Sequence, residues 1–97
     1  MEKTYITIVG SEHYQGSHVF RPGMKLKLVK DHKNRYDDEA ICAYSDMDVR
    51  YGYVANSVHT VARGTHSAGW LQHCFDEECF CIVRFIVDDV VIAELIG

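Results

Sequence analysis

Cys79-Phe80-Cys81-Ile82-Val83-Arg84-Phe85-Ile86-Val87, then Asp88-Asp89, then Val90-Val91-Ile92-Ala93-Glu94-Leu95-Ile96 is the stretch that decides the fold class. Both flanks are rich in β-branched and aromatic residues, which suit a pleated, half-buried surface. The acidic pair between them has the length of a tight hairpin turn. The segment reads as an antiparallel hairpin of two strands, with Cys79 and Cys81 two apart and therefore on one face.

Further strands precede it. Tyr5-Ile6-Thr7-Ile8-Val9 is built of strand formers and stops at Gly10. Arg21-Pro22-Gly23 is a turn, and Met24 to Lys30 then alternates, with Met24, Leu26 and Leu28 on one side and Lys25, Lys27 and Val29 on the other. Ala40 to Tyr44 is a third strand and Val49 to Val54 a fourth; Gly52 inside the latter marks a bulge or a close backbone approach. Asn56 to Gly64 carries helix punctuation, with Asn56 or Ser57 as cap, Val58, Val61 and Ala62 on one face and Gly64 as stop. Residues 65–76 have no clear period, and Trp70 and Leu71 are expected in the core. Six short strands with one or two short helices predict a mainly β protein, a small OB-like barrel forming a single domain over 1–97. Such barrels bind along a face or across loops. The Val90–Ile96 strand is a candidate exposed edge, which would invite pairing.

With 97 residues, 47% apolar and 25% charged, the composition is that of one globular domain. No apolar run reaches the ~20 residues that span a bilayer, and the N-terminus lacks a signal-peptide pattern, so a cytoplasmic protein without membrane contact is expected. The net charge of −4 argues against nucleic-acid binding over the whole surface. Its distribution differs: Arg21, Lys25, Lys27, Lys30, Lys33 and Arg35 face one acid, Asp31, within residues 21–35. That run is either a solvated strand edge or a local anion site.

Three stretches, in this order, resemble the HIRAN domain family. They are Val9-Gly10-Ser11-Glu12-His13-Tyr14-Gln15-Gly16, then Leu28 to Ile41 with its core Asn34-Arg35-Tyr36-Asp37-Asp38-Glu39-Ala40-Ile41, then Tyr51-Gly52-Tyr53-Val54-Ala55. The likeness runs from about Ile6 to Arg63. It implies an OB-like barrel of the short, stand-alone bacterial type. It also implies a role in DNA repair or replication, since the best-understood eukaryotic members recognise the 3′-hydroxyl end of single-stranded DNA beside a translocating ATPase. No Walker-type loop occurs here, so a helicase, ATPase or nuclease partner would be a separate chain.

On that resemblance Tyr36 and Asp37 are the leading site pair. A ring can stack on an unstacked terminal base, worth about 1–3 kcal/mol whatever the base. A neighbouring carboxylate can accept the sugar hydroxyl and would repel a terminal phosphate. The bland alternative is that Asn34 to Asp37 only builds a turn, with Tyr36 packing on the barrel. Tyr14 is a second stacking surface or an ordinary rim tyrosine. His13 stands where the family has an aromatic, and Tyr53 follows Gly52 where it can face the site. Two departures weaken a DNA ligand. Glu12 replaces an arginine and Asn56 stands roughly where the family has a lysine, each removing a phosphate contact. Arg35, Lys33, Arg21 or Lys27 are the candidates to compensate.

His66, His73, Cys74, Cys79 and Cys81 suggest zinc by residue type, but no Cys-x-x-Cys pair is present, and no metal or other cofactor is expected. Catalysis is not expected either, because no Gly-x-Ser-x-Gly, His-Glu-x-x-His or paired-carboxylate signature occurs. Two functions compete: a module gripping a single-stranded DNA 3′ end, and a protein-docking module for a larger DNA-processing ATPase or nuclease that does not itself touch DNA.

Overall fold

A computed structural model describes residues 3–97. Six strands, β1 (Tyr5–Val9), β2 (Lys25–Lys30), β3 (Ile41–Tyr44), β4 (Arg50–Val54), β5 (Glu78–Val87) and β6 (Val90–Leu95), close into an antiparallel barrel in the order β1-β4-β3-β2-β5-β6. Each expected strand is present to within a residue of its predicted ends. One short helix, α1 (Ala68–Leu71), and two 3-10 turns at Ser11–His13 and Ser17–Val19 complete the described chain.

Period-two alternation fills the barrel. Ile6 and Ile8 of β1, Leu26 and Leu28 of β2, Ile41 and Ala43 of β3, Cys79, Cys81 and Val83 of β5, and Val91 and Ala93 of β6 are buried together. Cys79 and Cys81 share the inward face, as their spacing predicts, and burial pushes each thiol up to about 12. Leu71 and Ala68 of α1 join the same core. Ser67 caps α1, its Oγ accepting from the Trp70 amide at 3.2 Å. The Lys30 ammonium donates to the Gln72 and Phe75 carbonyls just beyond the helix, at 2.9 and 2.6 Å, and lies over the Phe75 ring.

β1 and β4 meet over a short register only, Ile8 opposite Val54 and Val9 opposite Tyr53. Gly52 makes that approach possible, since a Cβ there would stand 2.5 Å from the Val9 carbonyl oxygen. Where the strands diverge, the chain after β4 takes over β1's hydrogen bonds. The Ala55 amide donates to the Thr7 carbonyl and the His66 amide to the Tyr5 carbonyl, both at 2.8 Å. Thr7 points outward yet is buried, because its hydroxyl bonds the Thr65 hydroxyl at 2.8 Å and accepts from the Ala62 amide at 3.1 Å.

Several expectations are corrected. Asn56 to Gly64 is not a helix. Ser57 caps a single turn, its carbonyl accepting from the Thr60 and Val61 amides, and the chain then leaves to serve β1. Val58, assigned to the apolar face, is 90% exposed, so no buried stripe exists to hold a helix together. Trp70 is not in the core; it is 44% exposed and lies flat on His66. β6 is not an edge, because it pairs with both β5 and β1. Val87 and Val90 face each other across Asp88-Asp89, so the acidic turn has its expected length, with Asp88 at φ 55°.

Candidate functional site

The connection from β2 to β3 is a tight loop closed by main-chain bonds, the Asp31 amide donating to Ala40 (2.9 Å) and the Ala40 amide to Asp37 (3.2 Å). Within it Asn34 acts as a turn builder. Its side-chain oxygen accepts from the amides of Tyr36 and Asp37 at 2.9 and 3.0 Å. Asp37 repeats the device, its Oδ1 accepting from the Glu39 amide at 2.9 Å. The amides of Tyr36, Asp37 and Glu39 are thereby fixed, and Tyr36 at the apex is held out into solvent, 98% exposed. The expected turn is formed, and Tyr36 projects from it instead of packing on the barrel.

Asp37 does not point outward with Tyr36. Its carboxylate is half-buried and faces Asn56, whose Nδ2 donates to both carboxylate oxygens at 3.3 and 3.0 Å and to Glu39 Oε1 at 3.2 Å. Asn56 Oδ1 accepts in turn from the Gly69 amide at 2.8 Å. Asn56 therefore ties β4, the β2–β3 loop and α1 together. Its neutral amide suits this work because one end donates and the other accepts. Between Tyr36 and Asn56 runs an open groove of about 450 Å³ bordered by Tyr36, Asp37, Tyr53, Asn56, Ser57 and Thr60.

Tyr53 continues this groove into an aromatic cluster on the outer face of β3 and β4. Its ring lies 6.3 Å from that of Tyr14. Arg50 sits among three tyrosines, its guanidinium carbon 5.8 Å from the Tyr14 ring, 5.5 Å from Tyr44 and 5.8 Å from Tyr53. It donates to the Tyr44 hydroxyl at 2.9 Å and the Tyr53 hydroxyl at 3.3 Å. The Tyr44 and Tyr14 phenols push the Arg50 guanidinium above its ordinary value, so it remains a cation throughout. Tyr14 and burial push the Tyr53 phenol up. Cys42 lies buried beneath this layer, its thiol raised by burial.

Arg50 is the functional candidate that sequence reasoning missed, and the reason is geometric. Residues three apart on a regular strand face opposite sides. Here Cys42 opposes Tyr53, Ala43 opposes Gly52 and Tyr44 opposes Arg50, so Tyr51 is an extra residue without a counterpart. This bulge turns Tyr51 inward, edge-on to Phe20 at 5.5 Å, and brings Arg50 to the outer face beside Tyr53. Gly52 was the available signal.

The basic run does not form one patch. Arg21 donates to the His18 and Phe20 carbonyls, Lys25 lies over the Phe80 ring, and Lys30 serves the end of α1. Lys27 is bound to Asp48 at 2.6 Å, which raises its pKa, and lies away from the Tyr36 groove. Lys33 and Arg35 stay exposed on the Tyr36 loop itself. His13 is exposed beside Glu12 at 3.5 Å. Tyr36, Asp37 and Tyr53 thus share one groove and Tyr14 adjoins it, whereas Lys27 does not take part. Cys79 and Cys81 are inside the barrel while Cys74 is exposed, and among the described residues no group of three or more His, Cys, Asp or Glu gathers as a metal set.

The HIRAN domain model matches residues 1–63, more than half of the chain. The chain belongs to the HIRAN domain family. Family membership points to a nucleic-acid-binding module, a binding rather than a catalytic type. The match spans β1 to β4 and the segment after them, so Tyr14, Tyr36, Asp37, Arg50, Tyr53 and Asn56 all lie within the HIRAN region. No curated protein matches the chain. Among solved structures, the barrel is similar to that of a protein from Lactobacillus plantarum, at TM-score 0.65 and 20% identity, covering 95% of this chain and 88% of that one. At that identity the likeness speaks for the fold.

Proposed function

We propose that this HIRAN domain grips the 3′-hydroxyl end of single-stranded DNA, in the service of DNA repair or replication, at the groove between Tyr36 and Asn56. The observation that carries the reading is Tyr36, a large ring held almost fully in water by a rigid, doubly bonded turn. The turn fixes the backbone that carries the ring before any ligand arrives, which lowers the ordering cost of stacking on a base. Asp37 lies beside it in the groove with its orientation fixed by Asn56. A carboxylate has about four acceptor positions, and those not used by Asn56 and Glu39 can take a sugar hydroxyl. A terminal phosphate in the same place would meet Asp37 and Glu39 and be repelled.

Phosphate contacts fall to Arg50, with Lys33 and Arg35 on the loop; Tyr53, Tyr14 and His13 supply further rings. Asn56, an amide roughly where the resemblance puts a lysine, orients Asp37 and Glu39 instead. The acidic neighbours and few free cations predict modest affinity and a shallow salt dependence. Fluorescence anisotropy on two short oligonucleotides differing only at the 3′ terminus tests this. Tighter binding of the hydroxyl end, abolished as a preference by Asp37→Ala and weakened for both by Tyr36→Ala, is expected. Equal binding of both ends, or wild-type behaviour of both variants, removes the reading.

A second reading, docking onto a separate ATPase or nuclease chain, is favoured by the outer face of the terminal hairpin, where Phe85 and Val87 are 54% and 61% exposed. Under that reading no oligonucleotide binds and Phe85→Ser disrupts a complex.

A further inference from the structure

We propose that a second groove, lined by Trp70, His66 and Arg63, is a base-stacking track that carries a single strand onward from the Tyr36 groove. The inference rests on the nucleic-acid reading above; its two rings, His66 and Trp70, lie beyond residues 1–63, whereas Arg63 and Asn56 lie within them. Trp70 and His66 are stacked with ring centroids 3.7 Å apart and planes 15° apart. Trp70 is 44% exposed, and Leu71 and Ala68 fill the barrel from the same short helix, so the indole is not needed to complete the core. Its groove has a volume of about 560 Å³.

Three features name the occupant. Its two rings, the stacked His66 and Trp70, fit a base face, with Val58 90% exposed on the same lining. Arg63 is the fixed charge of the lining and, among the described residues, no carboxylate contributes to it, on a chain whose net charge is −4, which fits a phosphate backbone. Asn56 borders both grooves, so the two adjoin at that residue. The platform is also preset. The His66 amide is bonded to Tyr5 of β1, and the Trp70 amide to Ser67 Oγ at the start of α1. A strand whose terminal nucleotide occupies the Tyr36 groove would therefore run past Asn56 and lay a following base against the indole.

The chain holds one tryptophan, so emission excited beyond the absorption of its six tyrosines reports this position alone. The full chain is titrated with a thymidine dinucleotide and with a thymidine oligomer of about eight nucleotides, inside the ~4–16 that one OB-type barrel covers. Quenching by the oligomer and not by the dinucleotide is expected. Trp70→Ala should weaken oligomer binding about ten-fold, in line with the loss of one stacked base, and leave the dinucleotide unaffected. Trp70→Phe should restore most of that loss, and Arg63→Gln should reduce the salt slope for the oligomer by about one. Circular dichroism checks that each variant is folded. Anisotropy showing oligomer binding with unchanged emission and unchanged Trp70→Ala affinity would overturn the track and leave the Tyr36 site standing. Failure of both probes to bind would remove the nucleic-acid reading itself, and the track with it.

Discussion

Asn56→Asp is the sharpest test of the site's construction, because it swaps one atom group and reverses its chemistry. In the native chain Nδ2 donates to Asp37 and Glu39 and Oδ1 accepts from Gly69. The substitution keeps the Gly69 bond and places a carboxylate oxygen where the donor stood, 3.0–3.3 Å from three oxygens of Asp37 and Glu39. Hydrogen bonds to charged groups are worth about 1.5–3 kcal/mol net, and partial exposure puts this set near the lower end. Like charges at that range add about 1 kcal/mol even in a water-like dielectric. The expected loss is about 2–4 kcal/mol at neutral pH, or a Tm at least ~8 °C lower for a domain of this size. Asn56→Ala, which removes donors without adding charge, should cost about half as much. The new carboxyl would have a folded pKa raised above its unfolded value of about 3.9. The variant is therefore close to the native chain in acid, and its deficit opens as pH rises through that folded pKa. Thermal melts at several pH values read this directly. A variant within ~0.5 kcal/mol of the native chain at neutral pH, or a deficit that does not change with pH, would refute the reasoning, since surface changes without a role fall in that range.

Three more outcomes follow from the packing. Gly52→Ala forces a methyl against the Val9 carbonyl and should cost about 3 kcal/mol, read from urea midpoints at constant m-value. Arg50→Met should keep the fold, weaken oligonucleotide binding and lower the slope of log K against log salt by about one, measured by anisotropy. Cys79 and Cys81 have folded pKa values of about 12 against an ordinary 9.0, so they stabilise the fold below pH 9 and that contribution is lost as pH rises from there toward 12. Urea midpoints should therefore fall between pH 8 and pH 10, and less steeply in Cys81→Ala; on alkylation of the native chain Cys74 should react first, as mass spectrometry would show.

The strands were legible because each announces itself locally: β-branched alternation, a turn residue at each end, and an acidic pair of hairpin length. The Asn34-to-Asp37 turn was legible too, since its capping bonds are made within a few residues. What escaped was set by distant partners. The helix expected after β4 has its caps, but β1 lacks a neighbour there and competes for the same amides. Trp70 reads as core by type alone, and only barrel closure shows that Leu71 already fills the space. Arg50 needed a bulge to reach the tyrosines. Asn56 reads as a missing lysine until Asp37, Glu39 and Gly69 are seen around it.

The two-residue junction of β1 with β4 makes one line of the wall softer than the rest. Elsewhere neighbouring strands hold each other directly, whereas here the connecting segment 55–66 serves as a splint whose far side is open to solvent at Val58 and His59. Local opening of the wall should start along it, with the amide protons of Ala55, Ala62 and His66 exchanging with deuterium ahead of those in the terminal hairpin. Both grooves border this splint, so a ligand lying across them would clamp the most pliable part of the wall, and occupancy could be followed as slowed exchange at those amides.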